Sequence, residues 1–295
     1  MEVLAGLKKF QQDNPKRKYL EIVDDVCGKV KVHVDTFASK EFVEEIADVS
    51  YEEYGKQESH IRFTKADRKE ISRLIWLTLD FDEGSYDPRN RNVLFPEPHF
   101  DIPIEEDWAK FEYELPDGKV IDGQLAIKGT IDLVTSVTDD IIEVIDWKTG
   151  QRKDWATGEV KTYEKLQKDA QLLLYNYAIS KKYPEYKQAI MTIFYVKDGG
   201  PFTMCFDETD QTMFLNMLKN RFEEIKADIM PKPISPEMQS WKCKKLCHFC
   251  KNNWEGTNVP MCKFVQNSLK AKGMEQTVKD CTKPGHSIGY YEAPG

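Results

Sequence analysis

Residues 129–150 read GTIDLVTSVTDDIIEVIDWKTG. Two runs of strand-forming residues flank a short polar turn, yet Asp132 interrupts the first run, and Asp146 and Lys148 sit near the end of the second. An unpaired ion inside a packed sheet is costly. A fold for this chain must therefore leave these charges in water or gather them where something compensates them. Side chains alternate across a strand. In IIEVIDWK, Ile142, Val144, Asp146 and Lys148 share one face, and Ile141, Glu143, Ile145 and Trp147 share the other. Asp146 and Lys148 are then neighbours, ~7 Å apart along the strand at ~3.3 Å per residue. Asp132 falls beside them if the turn folds as a hairpin or the register places it there. The plain alternative is a hairpin with an Asp–Lys pair on its surface. Glu143 and the Asp139–Asp140 turn are expected in solvent.

Two carboxylates converging with one ammonium suit Mg²⁺ and phosphodiester cleavage. Mg²⁺ takes oxygen ligands, keeps several waters and uses one or two carboxylates plus a substrate phosphate. A lysine beside it can hold or deprotonate the attacking water and stabilise developing charge. A second feature strengthens this reading. AQLLLYNYA places Gln171 and Tyr175 at i and i+4, on one face of an otherwise apolar helix.

The elements around these motifs follow from periodicity and turn chemistry. TFASKEFVEEIADVSYEEYG predicts a helix with Phe42, Ile46 and Val49 on one stripe. FTKADRKEISRLIWLTLDF predicts another, opened by a Thr64–Asp67 capping box and burying Ile71, Leu74, Ile75 and Leu79. NVLFPEPHFDIPI is extended and broken by prolines, and KFEYEL alternates before a PDGK turn. TYEKLQKDAQLLLYNYAISKKY predicts one strong helix; AIMTIFYV and PFTMCF predict a hairpin across KDGG. DQTMFLNMLKNRFEEIKADI predicts an amphipathic helix with Met213, Phe214, Met217, Leu218 and Ile225 inward. The order of helices, strands, helix, hairpin and helix implies an α/β fold with a mixed sheet flanked by helices.

Composition narrows the function. No stretch approaches the ~20 apolar residues that cross a bilayer, and the N-terminus lacks a signal-peptide pattern; a cytoplasmic protein with no membrane partner is expected. The net charge of −8 argues against a general basic coat for nucleic acid. The acids concentrate between about Glu41 and Asp117, a candidate protein-interaction surface, while lysines dominate from Lys232 onward. Of seven Cys, Cys243, Cys247, Cys250 and Cys262 cluster as C-x3-C-x2-C-x11-C. In a cytosolic protein such a cluster reads as a metal site of Zn²⁺ or iron–sulfur type rather than a disulfide framework. His248 inside it reads as a bystander. Lys242, Lys244 and Lys245 around it are candidate phosphate contacts, and Trp155, Tyr163 and Trp254 read as packing residues before base-stacking ones.

GTID, then VIDWKTG, then QLLLY resembles the RecB-like exonuclease branch of the PD-(D/E)xK nuclease superfamily. That branch shows G-x-x-D, a strand ending in D/E-x-K, and a helix with Q-x-x-x-Y, in this order. The three motifs span about residues 129 to 175, and the flanking elements extend the resemblance over about 90 to 265. It implies a restriction-endonuclease-like core over residues 91–230, preceded by an N-terminal helical region (1–90) and followed by a Cys-rich, metal-stapled region (231–295), as one continuous body. It implies Asp132 and Asp146 as ligands of Mg²⁺ or Mn²⁺, Lys148 as the catalytic lysine, and Gln171 and Tyr175 lining the site, where they touch DNA or orient its catalytic groups. Glu97 in FPEPHF matches the upstream glutamate ligand best, ahead of His60 and His99, and no G-x-x-x-H helix is identifiable. Some relatives, including CRISPR-associated exonucleases, are similar in holding a [4Fe–4S] cluster with three C-terminal Cys and a distant fourth. Cys27 could fill that place instead of Cys243, whereas the local tetrad fits Zn²⁺.

The function so implied is a metal-dependent DNA exonuclease acting on free ends in recombination, repair or replication, with many kin in phages. A helicase or single-strand-annealing partner would supply affinity. The competing reading is a non-catalytic DNA-end-binding or assembly subunit on the same fold.

Overall fold

The computed structural model describes residues 1–58, 62–115, 118–154, 157–227, 247–248 and 252–281. The chain divides into two compact units, Met1–Glu224 and Ile225–Gly295.

The first unit opens with α1 (Glu2–Asp13), which buries Val3, Leu4, Ala5 and Leu7. The N-terminal region, expected to be helical, then contains an antiparallel hairpin, β1 (Tyr19–Asp24) and β2 (Gly28–His33). Leu20, Val30 and Val32 are buried there, a period-two pattern too short to stand out against the neighbouring helices. The turn needs Gly28, at φ +67°, and Asp24 Oδ1, which accepts the amides of Val26 and Cys27 at 2.9 and 2.6 Å. Three helices follow: α2 (Val34–Phe37), α3 (Lys40–Gln57) and α4 (Lys65–Leu79). The Thr64–Asp67 capping box forms in both directions. Leu7, Leu20, Phe37, Phe42 and Leu79 make the core of this region, with Ile46 and Ile75 at its edge.

The rest of the unit is built on a sheet. Its strands are β3 (Asn92–Pro96), β4 (His99–Pro103), β5 (Lys110–Glu114), β6 (Val120–Gln124), β7 (Ala126–Thr130), β8 (Leu133–Ser136), β9 (Ile141–Lys148), β10 (Gln188–Tyr195) and β11 (Gly200–Cys205). Five of them form the main sheet in the order β11-β10-β9-β8-β3, while β4 pairs with β7 and β5 with β6. Only the β9–β10 pair in that sheet is parallel. This is the expected mixed sheet flanked by helices. Between β9 and β10 lie α5 (Tyr163–Leu166) and α6 (Ala170–Lys182). α6 packs Leu172, Leu173 and Ile179 with Ile142, Val144, Met191 and Ile193. Ala5 of α1 clusters with Val93, Leu133 and Ile145.

Three expectations are corrected. The single helix over TYEKLQKDAQLLLYNYAISKKY is two, because Asp169 accepts the Gln171 amide at 3.0 Å and starts α6 afresh. In α7 (Glu208–Ala227), Met213, Met217 and Ile225 are exposed. The inward row is Phe214, Leu218 and Phe222, four residues apart, with Phe222 against the rings of Trp108 and Phe111. Glu143, expected in solvent, is buried and paired with the Arg91 guanidinium. Thr192 Oγ1 donates to its Oε1 at 2.6 Å. Burial of the charge is tolerated because both carboxylate oxygens are satisfied.

In the second unit, α8 (Lys263–Cys281) is broken at Gly273, whose φ of +73° leaves the helix. Among the described residues no helix is long and apolar enough to cross a membrane.

Candidate active site

The β8–β9 hairpin sets the register that the two strands alone left open. Leu133 lies opposite Ile145, so Asp132, one residue earlier, falls opposite Asp146. Asp132 Oδ2 accepts the Trp147 amide at 2.8 Å. Lys148 Nζ lies 2.6 Å from Asp146 Oδ2. The three charges that opened the sequence problem are thus one cluster at the C-terminal end of a central strand.

Asp146 is only 2% exposed. Burial raises its pKa, opposed chiefly by Lys148. Burial, then the Asp146 carboxylate, push Asp132 up to about 6. Two carboxylates face one ammonium in low-dielectric surroundings, and Asp146 Oδ2 is buried without a well-directed hydrogen bond. A divalent cation fits this arrangement: it would neutralise the surplus negative charge and share the carboxylate oxygens with Lys148. Among the described residues no three His, Cys, Asp or Glu side chains are grouped to hold a metal by themselves. Two carboxylates completed by waters and a phosphate are the usual Mg²⁺ pattern.

Helix α6 supplies the next layer. The Asp169 cap puts Gln171 in its first turn, and Tyr175 stands one turn later. Gln171 Nε2 donates to Tyr175 Oη at 2.7 Å, and Tyr175 Oη donates to the Thr130 carbonyl at 3.0 Å. Both reach Asp146 Oδ1, at 3.4 and 3.5 Å, distances that orient rather than bind tightly. Burial pushes Tyr175 up to about 12, so it stays a neutral donor. Asp169 also holds Lys161 at 2.7 Å; this ion pair beside Gln171 was not picked out from the sequence.

Glu97 occupies the bend between β3 and β4 with φ of +45°. Its amide donates to the Asp132 carbonyl at 3.2 Å, so the bend is tied to the site. Its carboxyl neighbours that of Glu2 on α1, and this neighbour, with burial added, pushes Glu2 up to about 8. Sequence reasoning missed Glu2, because an acid in a first helical turn is ordinary and only the packing of α1 on β3 brings it here. His99 is exposed and bonds Thr130 Oγ1 at 2.7 Å, a strand-pair contact rather than a member of the carboxylate cluster.

The remaining candidates fall elsewhere. Cys27 is half-buried, with Sγ 3.1 Å from Ser50 Oγ. Cys247 and Cys262 are half-buried. His60, Trp155, Lys242, Cys243, Lys244, Lys245 and Cys250 lie outside the described residues.

A carboxylate pair, one on β9 and one at the entry to β8, with a lysine and faced by a helix carrying Gln and Tyr, defines a nuclease-type site. The chain belongs to the PD-(D/E)XK nuclease superfamily, whose family model matches residues 19–254. Nucleases of this superfamily typically use divalent metals such as Mg²⁺. Among solved structures, the chain is similar to a crystal structure named "Putative exonuclease" from Eubacterium rectale. The identity is 12% and the TM-score 0.37, with 68% of this chain and 77% of that chain covered. No curated protein matches the chain.

Proposed function

We infer that the chain is a divalent-metal-dependent DNA exonuclease. The observation that carries the reading is the Asp132–Asp146–Lys148 cluster, in which the buried Asp146 carboxylate and its neighbour Asp132 face Lys148 Nζ, 2.6 Å from Asp146 Oδ2. Asp132 and Asp146 would hold Mg²⁺ or Mn²⁺, and Glu97, whose bend is tied to the Asp132 carbonyl, would join them by turning its carboxyl from Glu2. Bound there, the metal supplies Lewis acidity toward the scissile phosphate and the attacking water. Lys148 Nζ positions that water and stabilises the charge that builds on the phosphate. Gln171 and Tyr175 keep Asp146 oriented and approach the DNA. The net charge of −8 favours a narrow channel for a DNA end, or a helicase or annealing partner that supplies affinity. The Cys243, Cys247, Cys250 and Cys262 spacing supports a structural Zn²⁺ or iron–sulfur staple, with Cys27 the alternative fourth ligand; metal analysis of fresh anaerobic protein checks it, and finding neither metal removes the staple.

The test compares linear and covalently closed circular DNA, single- and double-stranded, with Mg²⁺, Mn²⁺ or EDTA. Linear DNA should be degraded from its ends with either metal, circles should persist, and EDTA should stop the reaction. Binding without cleavage under every metal would favour an end-binding subunit and overturn the reading. Asp132→Asn is the informative variant. A carboxyl with a folded pKa near 6 instead of 3.8 keeps its proton longer in the folded protein. Stability in metal-free buffer therefore falls as pH rises from about 4 to about 6 and stays lowered above that. Asp132→Asn removes this cost while keeping an acceptor for the Trp147 amide. It should raise the metal-free Tm at pH 7.5 by ~2–8 °C and abolish cleavage. Wild-type cleavage should also decline below pH 6, as Asp132 takes up the proton that competes with metal.

A further inference from the structure

The β1–β2 hairpin carries charge that neither the core nor the carboxylate cluster uses. Its inner face, Leu20, Ile22, Val30 and Val32, packs into the core of this region. Its outer face holds Tyr19, Glu21 and Val23 across from His33, Lys31 and Lys29. Tyr19 and His33 meet edge to face at 5.2 Å between centroids, and Lys31 Nζ lies 5.0 Å from the centre of the Tyr19 ring. Just before the hairpin, Lys16, Arg17 and Lys18 stand consecutively and exposed. Lys16 and Arg17 line an open hollow of about 470 Å³ with Asn14 and Pro15. The Lys18 carbonyl accepts the Val34 amide at 2.9 Å, which fixes this segment beside the end of β2.

The charge here runs against that of the chain. Between Lys8 and His33 there are seven Lys and Arg against four acids, in a chain of net charge −8. Of those acids, Asp24 is buried in the hairpin turn, Asp13 is paired with Lys9 at 2.7 Å, and Glu21 stands 3.9 Å from Lys29. Lys16, Arg17, Lys18 and Lys31 form no ion pair among the described residues. Three consecutive cations without a counter-charge repel one another, and a row of phosphates offsets that repulsion. Helix α1 ties the patch to the site. Near its end, Gln12 Nε2 donates to Asn92 Oδ1 at 2.6 Å and Gln12 Oε1 accepts the Val93 amide at 2.9 Å, at the start of β3. The other end of β3 leads to Glu97, whose amide donates to the Asp132 carbonyl. β3 has 5 residues, ~13 Å at ~3.3 Å per residue. With the turn after α1 added, the patch begins on the order of 20 Å from the carboxylate cluster, about six steps along a DNA strand at ~3.4 Å each.

Resting on the reading of the chain as a DNA nuclease, we propose that the Lys16–Arg17–Lys18 turn and the outer face of the β1–β2 hairpin hold the phosphate backbone of the substrate DNA, about six nucleotides from the cut. The contacts are to phosphates, so they raise affinity for every sequence and carry no base preference. Such a hold lets an acidic protein keep its DNA without a general basic coat. The gain is confined to DNA long enough to span the distance.

The experiment titrates the full chain with a fluorescent DNA oligonucleotide of about 40 nucleotides, in EDTA to stop cleavage, over a range of salt concentrations. The hairpin variant combines Lys16→Gln, Arg17→Gln, Lys18→Gln and Lys31→Gln. A control variant combines Lys56→Gln, Lys65→Gln, Lys110→Gln and Lys187→Gln, which removes the same charge from exposed positions on other elements. The slope of log affinity against log salt should be shallower by ~3–4 in the hairpin variant, from four lost phosphate contacts at ~0.7–0.9 each. Between about 50 and 200 mM salt, wild-type binding should then weaken ~50- to 150-fold more than the variant's. The control should keep a slope within about one of wild type. With Mg²⁺, the hairpin variant should cut a DNA of about five nucleotides, too short to reach the patch, at the wild-type rate, which shows an intact fold and site. On the long DNA it should show a raised KM with kcat unchanged. A slope change below about one, or an equal change in the control, would overturn the proposal. Slowed cleavage of the short DNA would overturn it too, by placing these residues in the fold or the site. The expected slopes together with no cleavage of any DNA by wild type would overturn the nuclease reading and leave the docking surface standing.

Discussion

Lys148→Met is expected to slow DNA cleavage by ~10²–10⁴-fold while the protein stays folded and still binds DNA. The size follows from where the ammonium sits. Lys148 Nζ is 2.6 Å from Asp146 Oδ2 and its side chain is about one-third exposed, at 34%, so it touches both the buried carboxylate and the space open to substrate. Methionine keeps the aliphatic stem and its packing, and removes only the charge and its protons. Asp146, already raised by burial, would take up a proton in the metal-free variant, which spares the fold an uncompensated buried ion. Lys148→Arg separates two roles. Arginine keeps the charge but does not give up its proton near neutral pH. It should restore activity if Lys148 only stabilises charge, and fail if Lys148 passes a proton. Single-turnover cleavage is the measurement. A Lys148→Met rate within tenfold of wild type would remove Lys148 from the chemistry.

Arg91→Met is expected to destabilise the first unit by ~3–5 kcal/mol, because it strands a buried carboxylate. Arg91 and Glu143 are 16% and 9% exposed and form an ion pair on the face of β9 opposite Asp146. Arg91 Nη1 also donates to the Ser85 carbonyl at 2.6 Å, and Nε to Thr135 Oγ1 at 3.3 Å. At ~2–4 °C per kcal/mol for a unit of this size, Tm should fall by ~6–20 °C. Adding Glu143→Leu should recover much of the loss, since an apolar pair of similar volume needs no desolvation offset. The Thr192 hydroxyl, which loses Glu143, keeps Thr203 Oγ1 at 3.0 Å. Thermal unfolding of the two variants checks this; a Tm for Arg91→Met within about 2 °C of wild type would show that the pair contributes little. The prediction concerns stability alone, because the pair lies across the sheet from the candidate active site.

These expectations draw differently on sequence and structure. Alternation along IIEVIDWK is enough to put Asp146 and Lys148 on one face, and helical spacing is enough to put Gln171 beside Tyr175. The same alternation assigns Glu143 to the other face but says nothing about what covers that face. In the structure Arg91, just before β3, covers it, and a residue read as solvated proves buried. In α7 the apolar residues outnumber the positions that can face inward. Met213 and Met217 fit the pattern as well as Phe214, and contact with the sheet decides among them.

The limit is one of range. Strand alternation, the Thr64–Asp67 cap and the i, i+4 pair on α6 are set by a few consecutive residues and their backbone geometry, so the chain determines them locally. The register that sets Asp132 opposite Asp146, the Glu97 bend tied to Asp132 and the approach of Glu2 from α1 join segments up to about 130 residues apart. Burial of β8, β9 and α1 against one another selects those contacts from many that the same residues would permit, and only the tertiary structure records which were chosen.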